Sequence, residues 1–258
     1  MSLAACADLV ARGDPDRFAA TIAAPVAARS RLLPLYAFNL ELARAAWGST
    51  EPMIAEMRLQ WWRDALEDAA RGVVRGHQVM GPLAALMADA GLPGDVLDRM
   101  CTARLWDIGR EAHADAAALD AYLDDTAGGL MWLAGRALGA PGAAEVGLRE
   151  AGRAAGLAAY LRAVPELEAR GRVPLLDGRR QAVAALAAEG LARLARAQAA
   201  LRPVLPRGAR PALWAGWQTR GLLRLAVREP GRVASGTLHL PELVRRGGLA
   251  WRALAGGW

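Results

Sequence analysis

The chain has 258 residues, of which 54% are hydrophobic and 22% charged, and its formal net charge is +6 at pH 7. This balance excludes an intrinsically disordered chain, because such chains carry too few apolar residues to build a core. All 32 basic residues are arginine, a usage typical of a GC-rich bacterial genome. No basic run with interleaved aromatic residues occurs, so we expect no nucleic-acid partner.

Helical patterns follow one another along the chain, separated by glycine and proline. The Asp14–Pro15 pair predicts a helix start, since aspartate caps a helix and proline fits its first turn. The further predicted helices cover residues 25–47, 51–71, 82–90, 94–113, 119–138, 143–164, 179–201, 210–228 and 241–254. Alternating strand patterns are absent from the sequence. We therefore predict an all-α protein with one domain over residues 1–258.

The predicted helix 51–71 shows the clearest amphipathic spacing. Its predicted apolar stripe comprises Ile54, Met57, Trp61, Ala65 and Ala69. Asp64 and Asp68 fall across from that stripe, so we predict that they are solvated. Asp120 and Asp124 have the same i, i+4 spacing at the start of the predicted helix 119–138, where negative charge complements the helix dipole.

The chain carries no sign of export or of membrane insertion. Cys6 and Cys101 stand apart from any metal-ligand pattern, which indicates a reducing compartment. The first residues lack the pattern of a signal peptide, and no uncharged apolar run reaches about 18 residues. We expect a cytoplasmic protein. The C-terminal segment LAWRALAGGW, with its tryptophans and arginine, predicts peripheral contact with the inner membrane.

Four stretches of the sequence resemble the squalene and phytoene synthases, which join two isoprenyl diphosphates head to head. They are LYAF at 35–38, QWWRDAL at 60–66, TAGGL at 126–130 and LRAVPELEARGRV at 161–173. Their order matches that of the family over most of the chain. The resemblance implies an isoprenoid-synthase-like helical bundle around a central cavity.

In that family, two aspartate-rich helices face each other and hold Mg²⁺ ions that bind the diphosphates. Magnesium prefers oxygen ligands, and carboxylates four residues apart lie on one helical face. Here the first aspartate pair falls on Ala43 and Trp47, and the second on Ala163 and Leu167. None of these side chains can ligate magnesium. The resemblance therefore implies no catalytic residue, no metal site and no cofactor.

The substituted motifs resemble a divergent branch of the family that contains a mitochondrial assembly factor for respiratory complex I. The stretches that carry this resemblance are FNLELA at 38–43, MRLQWW at 57–62 and LRAVP at 161–165. The branch implies a synthase fold used without the synthase metal site. On this basis we expect an assembly or binding factor with complex I subunits as partners.

A ligand-binding cavity is the other implication of the family. Tyr36, Phe38, Tyr122 and Tyr160 are its predicted aromatic walls, although ordinary core packing would also explain them. Gly156 and Ala159 replace a glutamine and an asparagine of the family pattern. Arg162 and the corner at Arg170–Arg172 are predicted to bind an anionic head group. Alternatively, these cations simply interact favourably with the dipole at a helix C-terminus.

Two other functions stay open on the sequence alone. An active head-to-head prenyltransferase would need Mg²⁺ held by relocated carboxylates, for which the pairs Asp64/Asp68 and Asp120/Asp124 have the required spacing. An isoprenoid or lipid carrier would use the apolar cavity without chemistry.

Overall fold

The computed structural model describes residues 2–49 and 51–255, except for the side chain of residue 255. Helices make up its regular structure and no strand occurs within those residues, so the predicted all-α class is confirmed. The α-helices are α1 (Leu3–Gly13), α2 (Pro15–Ala23), α3 (Val26–Trp47), α4 (Pro52–Ala70), α5 (Met80–Ala90), α6 (Gly94–Ala103), α7 (Ala116–Leu123), α8 (Gly129–Ala137), α9 (Glu145–Ala169), α10 (Arg180–Leu201), α11 (Pro211–Trp214), α12 (Thr219–Arg228), α13 (Gly231–Ala234) and α14 (Glu242–Ala255). A π-helical turn, Asp124–Gly128, joins α7 to α8.

Two long helices, α3 and α9, organise the fold around them. The larger hydrophobic core packs α3 against α1, α4, α5, α6 and α8, and a second cluster packs α9 against α7, α10 and α12. The start of α2 follows the prediction, because Asp14 accepts a hydrogen bond from the backbone N–H of Arg17 and Pro15 occupies the first turn. Helix α1 has no counterpart among the predicted helices.

The helix predicted over 94–113 was wrong beyond residue 103. Helix α6 ends at Ala103, and Arg104–Asp107 form a short 3₁₀ turn. The guanidinium of Arg172 donates to the backbone carbonyls of Trp106 and Asp107, both at 2.6 Å. These carbonyls therefore have a long-range partner in place of a continuing helix.

The apolar stripe predicted for α4 was also wrong in part. Ala65 is buried as predicted, but Ile54 and Met57 are exposed. The buried side of α4 is formed instead by Ala55, Leu59, Trp62, Ala65 and Leu66. One residue step turns a helix by about 100°, so the sequence contains two adjacent apolar stripes on α4. Helices α3 and α6 pack against the stripe that contains Leu59 and Trp62.

Helix α9 passes unusually close to the π-helical turn. A Cβ atom added at Gly152 would lie 2.5 Å from the carbonyl oxygen of Ala127 and 2.7 Å from the Cα atom of Gly128. A Cβ atom at Gly156 would lie 2.6 Å from the Cβ atom of Ala127. Both glycines are therefore required by space, and a glutamine at position 156 would push the two elements apart.

In the part of the chain that the structure describes, no helix is both long and apolar enough to cross a bilayer. Cys6 and Cys101 are buried free thiols. The predicted C-terminal helix is present as α14, while residues 256–258 of the segment LAWRALAGGW lie outside the described residues.

Candidate functional site

A cavity of about 290 Å³ lies between α3 and α9 and is closed by the start of α2, the 3₁₀ turn, α7, the π-helical turn and α12. Six of the seven residues predicted to form a ligand cavity line it. They are Tyr36, Tyr122, Gly156, Ala159, Tyr160 and Arg162. Whether a ligand binds there remains a proposal.

Phe38, the seventh predicted cavity residue, lies in the hydrophobic core instead. It is fully buried, and its ring meets that of Trp62 edge-on, with ring centroids 5.4 Å apart. Two residues turn a helix by about 200°, so Phe38 points away from the side of α3 that carries Tyr36.

The four positions at which the sequence predicts replaced metal-binding aspartates lie on the two long helices. Trp47 of α3 and Ala163 and Leu167 of α9 line the cavity. Ala43 is on the same side of α3, four residues before Trp47, but it is not among the lining residues. The guanidinium carbon of Arg170 lies 4.6 Å from the ring centroid of Trp47. The indole N–H of Trp47 is buried and has no hydrogen-bond partner among the described residues.

The cavity rim is an ionic cluster around Asp16. Its carboxylate accepts hydrogen bonds from Gln218 at 2.8 Å, from Arg162 at 3.5 Å and from Arg245 of α14. Partial burial acts to raise the pKa of Asp16, but the bonds from Arg245 and Gln218 outweigh it, and the pKa lies below its usual value. Arg162 therefore has a carboxylate partner within the protein.

The cavity floor is a buried polar network. Arg104 donates to the carboxylate of Asp107 at 2.8 Å and to the hydroxyl of Tyr122 at 3.1 Å, and that hydroxyl donates to Asp107 at 3.0 Å. Asn39 accepts from Arg104 at 3.4 Å. Burial raises the pKa of Tyr122, which keeps the phenol neutral at physiological pH.

An aromatic layer supports that floor. The rings of Trp106 and His113 stack with centroids 3.8 Å apart, and the guanidinium of Arg172 lies 4.0 Å from the Trp106 ring. Burial and the nearby charge of Arg172 lower the pKa of His113 from 6.5 to about 4. Arg172 is buried and donates to two backbone carbonyls, whereas Arg162 keeps 42% of its side chain exposed beside Asp16.

The residues present do not fit a magnesium cluster. Within the described residues, the carboxylates that line the cavity belong to Asp14, Asp16 and Asp107, and each is paired with an arginine. No group of three or more His, Cys, Asp or Glu side chains in this part of the chain could hold a metal ion. A divalent ion would have to displace a guanidinium from its carboxylate.

The candidate relocated carboxylates are also engaged by arginines. Asp68 lies 2.6 Å from both Arg71 and Arg75, and its side chain is 18% exposed, whereas Asp64 lies 3.8 Å from Arg75 and is 45% exposed. Asp120 is not in the first turn of its helix, because α7 begins at Ala116 with Asp115 as its cap, so the dipole role was wrong. Asp120 instead pairs with Arg193 at 2.8 Å and with Arg153 at 3.2 Å.

Asp124 lies one turn further on, in the π-helical turn. It pairs with Arg153 at 3.0 Å and with Arg149 at 3.2 Å, and it is not among the residues that line the cavity. Asp124 is the first residue of the π-helical turn, so it begins that turn and not an α-helix. Its partners come from α9, which no local pattern could reveal.

Several residues of the site were not predicted as such. They are Asp14, Asp16, Arg17, Asn39, Arg104, Asp107, Gln218 and Thr219. The Arg104–Asp107 spacing is a local signal that could have suggested an ion pair. Gln218 and Asp16 are 202 positions apart, so only the folded chain brings them together.

The fold and the cavity between two long helices define an isoprenoid-synthase-like protein. A dehydrosqualene synthase solved with a ligand superimposes with a TM-score of 0.80 at 17% identity, covering 96% of this chain and 93% of that one. The squalene synthase HpnC from Alicyclobacillus acidocaldarius gives a TM-score of 0.74 at 15% identity, covering 88% of this chain and 93% of its own. At these identities the likeness shows the fold alone.

A family model described as squalene/phytoene synthase matches residues 10–175, which is more than half of the chain. The chain therefore belongs to the squalene/phytoene synthase family. It is 30% identical over 182 residues to a complex I assembly factor 6 homolog of Drosophila melanogaster, and 26% identical over 169 residues to the Homo sapiens complex I assembly factor 6. These matches cover 66% and 65% of this chain but 53% and 51% of the relatives, so the chain spans about half the length of the curated relatives it matches.

Proposed function

We propose that this chain is a non-catalytic member of its family and acts as an assembly factor for respiratory complex I. One observation carries the proposal: Trp47, Ala163 and Leu167 wall the cavity where metal-binding oxygens would be needed. Hydrocarbon and indole groups cannot neutralise the charge that develops on a departing diphosphate. The relatives named complex I assembly factor 6 support the second half of the proposal.

The proposal includes no metal cofactor, because the acidic side chains at the cavity already have arginine partners. Its proposed location is the cytoplasm of a bacterium, with peripheral contact at the inner membrane. The proposed partners are complex I subunits. The apolar outer side of α14 supports the membrane contact.

A turnover assay tests the catalytic half. Purified protein is incubated with Mg²⁺ and farnesyl or geranylgeranyl diphosphate, and we expect no condensation product above a protein-free control. Product formation that disappears in the double variant Asp120→Asn/Asp124→Asn would establish a relocated metal site and overturn the proposal.

Affinity capture from the native host tests the assembly half. We expect complex I subunits to be enriched with the tagged chain, and the level of assembled complex I to fall when its gene is deleted. Unchanged NADH oxidation by membranes of the deletion strain, with no complex I subunit captured, would contradict an assembly role.

An isoprenoid or lipid carrier is the second candidate, and the open cavity favours it. Trp47 is part of the cavity wall and leaves the cavity open. The substitution Ala159→Trp would place a large ring in the cavity. We expect native mass spectrometry to detect a co-purified lipid in the wild type and in an Ala188→Trp control on the exposed side of α10, but not in Ala159→Trp.

A further inference from the structure

Helix α14 turns its apolar side away from the protein. Leu243, Val244, Trp251 and Leu254 are 84%, 56%, 70% and 86% exposed. Val244, Trp251 and Leu254 follow Leu243 by one, eight and eleven residues, which places all four on one side of a helix. Leu243 and Leu254 are the most exposed large hydrophobic residues in the described part of the chain. A continuous apolar surface of this kind marks a binding site.

The side of α14 that packs against the protein is comparatively polar. Arg245 binds Asp16 at the cavity rim, Arg252 donates to the carbonyl of Gly248 at 3.0 Å, and both side chains are partly buried. Leu249 packs against the main hydrophobic core. Helix α14 thus exposes its apolar side to solvent, whereas an ordinary surface helix buries its apolar side against the core.

The charge around the apolar side selects the occupant. Of the three arginines of α14, Arg245 and Arg252 are on the packed side and Arg246 borders the apolar side, within a chain of net charge +6. Arg246 pairs with Glu242 at 2.7 Å and is still 81% exposed, so its long side chain can reach phosphate head groups. Leucines and a tryptophan bordered by arginine are the composition of helices that lie in the interface of anionic membranes.

We propose that α14 is the element that docks this chain on an anionic membrane, with Leu243, Val244, Trp251 and Leu254 inserted among the lipids. The inference rests on the peripheral contact proposed above, and not on the role in complex I assembly. Because Arg245 ties α14 to Asp16, this docking brings the cavity rim to within about one helix diameter of the lipid surface. The cavity then lies beside a reservoir of apolar ligands.

Vesicle flotation with a matched pair of variants tests this assignment. The triple variant Leu243→Ser/Trp251→Ser/Leu254→Ser removes the apolar side of α14. The control Met53→Ser/Ile54→Ser/Met57→Ser removes three exposed apolar side chains from α4. With phosphatidylcholine vesicles that contain phosphatidylglycerol, we expect the bound-to-free ratio to fall at least about tenfold in the α14 variant and to stay near wild type in the control.

A separate variant tests the electrostatic contribution to membrane binding. Arg246→Glu is expected to weaken binding to vesicles with phosphatidylglycerol several-fold and to leave binding to pure phosphatidylcholine unchanged. Circular dichroism should show the same helix content in every variant, since the substituted side chains are exposed.

Three outcomes would overturn the assignment to α14. Equal flotation of the wild type and the α14 variant would leave the membrane contact in place but assign it elsewhere. Absence of flotation for the wild type would remove both membrane proposals, while capture of complex I subunits would test the assembly role separately. A dimer by light scattering that the α14 variant abolishes, without vesicle binding, would show that a second copy covers this surface.

Discussion

At the scale of single residues, the cavity floor depends on one buried carboxylate. The side chain of Asp107 is 1% exposed and holds both Arg104 and the hydroxyl of Tyr122. A buried charge is tolerated when its partner and its hydrogen bonds are complete, and it is costly when the partner is removed. Asp107 therefore belongs to the architecture of the cavity as much as to its chemistry.

Asp107→Asn should destabilise the protein by about 3 kcal/mol, because it leaves the guanidinium of Arg104 buried without a counter-charge. Urea unfolding measures the loss. The double variant Arg104→Met/Asp107→Asn should lose less than the sum of the two single variants, since the pair is removed as a unit. If each single variant lost less than about 0.5 kcal/mol of unfolding free energy and the double variant lost the sum of the two, the network would contribute little to stability.

His113 should make the stability of the protein depend on pH. The pKa of His113 is lowered from 6.5 to about 4 in the folded protein. Between these two pH values the imidazole is protonated in the unfolded chain and neutral in the folded chain. Stability is therefore complete above pH 6.5 and is lost as the pH falls toward 4, by up to about 3 kcal/mol from this group.

The control for this pH dependence is His113→Phe, which keeps an aromatic ring against Trp106 without a titrating group. Thermal or urea unfolding across this pH range should show a steeper loss for the wild type than for the variant. Parallel curves for the two proteins would mean that His113 is protonated with ordinary ease in the folded state.

At the scale of elements, the close contact between α9 and the π-helical turn fixes the shape of the cavity. Gly152 and Gly156 allow the approach, and Thr126 donates its hydroxyl to the carbonyl of Tyr122 at 2.6 Å within the turn. Both elements contribute to the cavity wall. A change in their separation therefore alters the site directly.

Gly152→Ala should cost about 1–3 kcal/mol of unfolding free energy, because its methyl group would overlap the backbone of the π-helical turn. Gly247→Ala is the matched control, as a helical glycine of α14 with no atom within 4 Å of an added Cβ. The control should lose nothing, since alanine favours a helix over glycine. Equal stability of the two variants would contradict the close approach.

The elements also show what the sequence could and could not predict. Helix starts at capping residues such as Asp14, and the long patterns of α3 and α10, depend on local chemistry and were predictable. Helix α9 was predicted to end at residue 164, but it continues through Pro165 to Ala169. The outer side of α4 and the end of α6 depend on partners far along the chain, such as Arg172. Local patterns do not encode those partners.

The cavity was predictable to a similar degree. Six of the seven proposed lining residues are in place because the family motifs fix their helical register, while Phe38 fell on the opposite side of α3. Apart from Arg162, the rim was missed, because Asp16, Gln218 and Arg245 come from separate segments. Their pairing is a property of the folded chain.

At the scale of the whole molecule, the synthase architecture is kept, and we propose that the chemistry of its centre is changed. The molecule has a net charge of +6. Each carboxylate that lines the cavity within the described residues is paired with an arginine. Such a centre has little attraction for a metal-diphosphate complex. The proposed role accordingly depends on surfaces, on α14 above all, and on an open cavity without catalysis.

Binding of Mn²⁺ in the presence of a thio-analogue of farnesyl diphosphate tests the central claim most directly. Electron paramagnetic resonance measures free Mn²⁺, and a squalene synthase with its aspartates intact serves as the positive control. Our account predicts the same free Mn²⁺ signal with and without this protein. A loss of signal in stoichiometric proportion to the chain would show a working metal-diphosphate site and contradict the account.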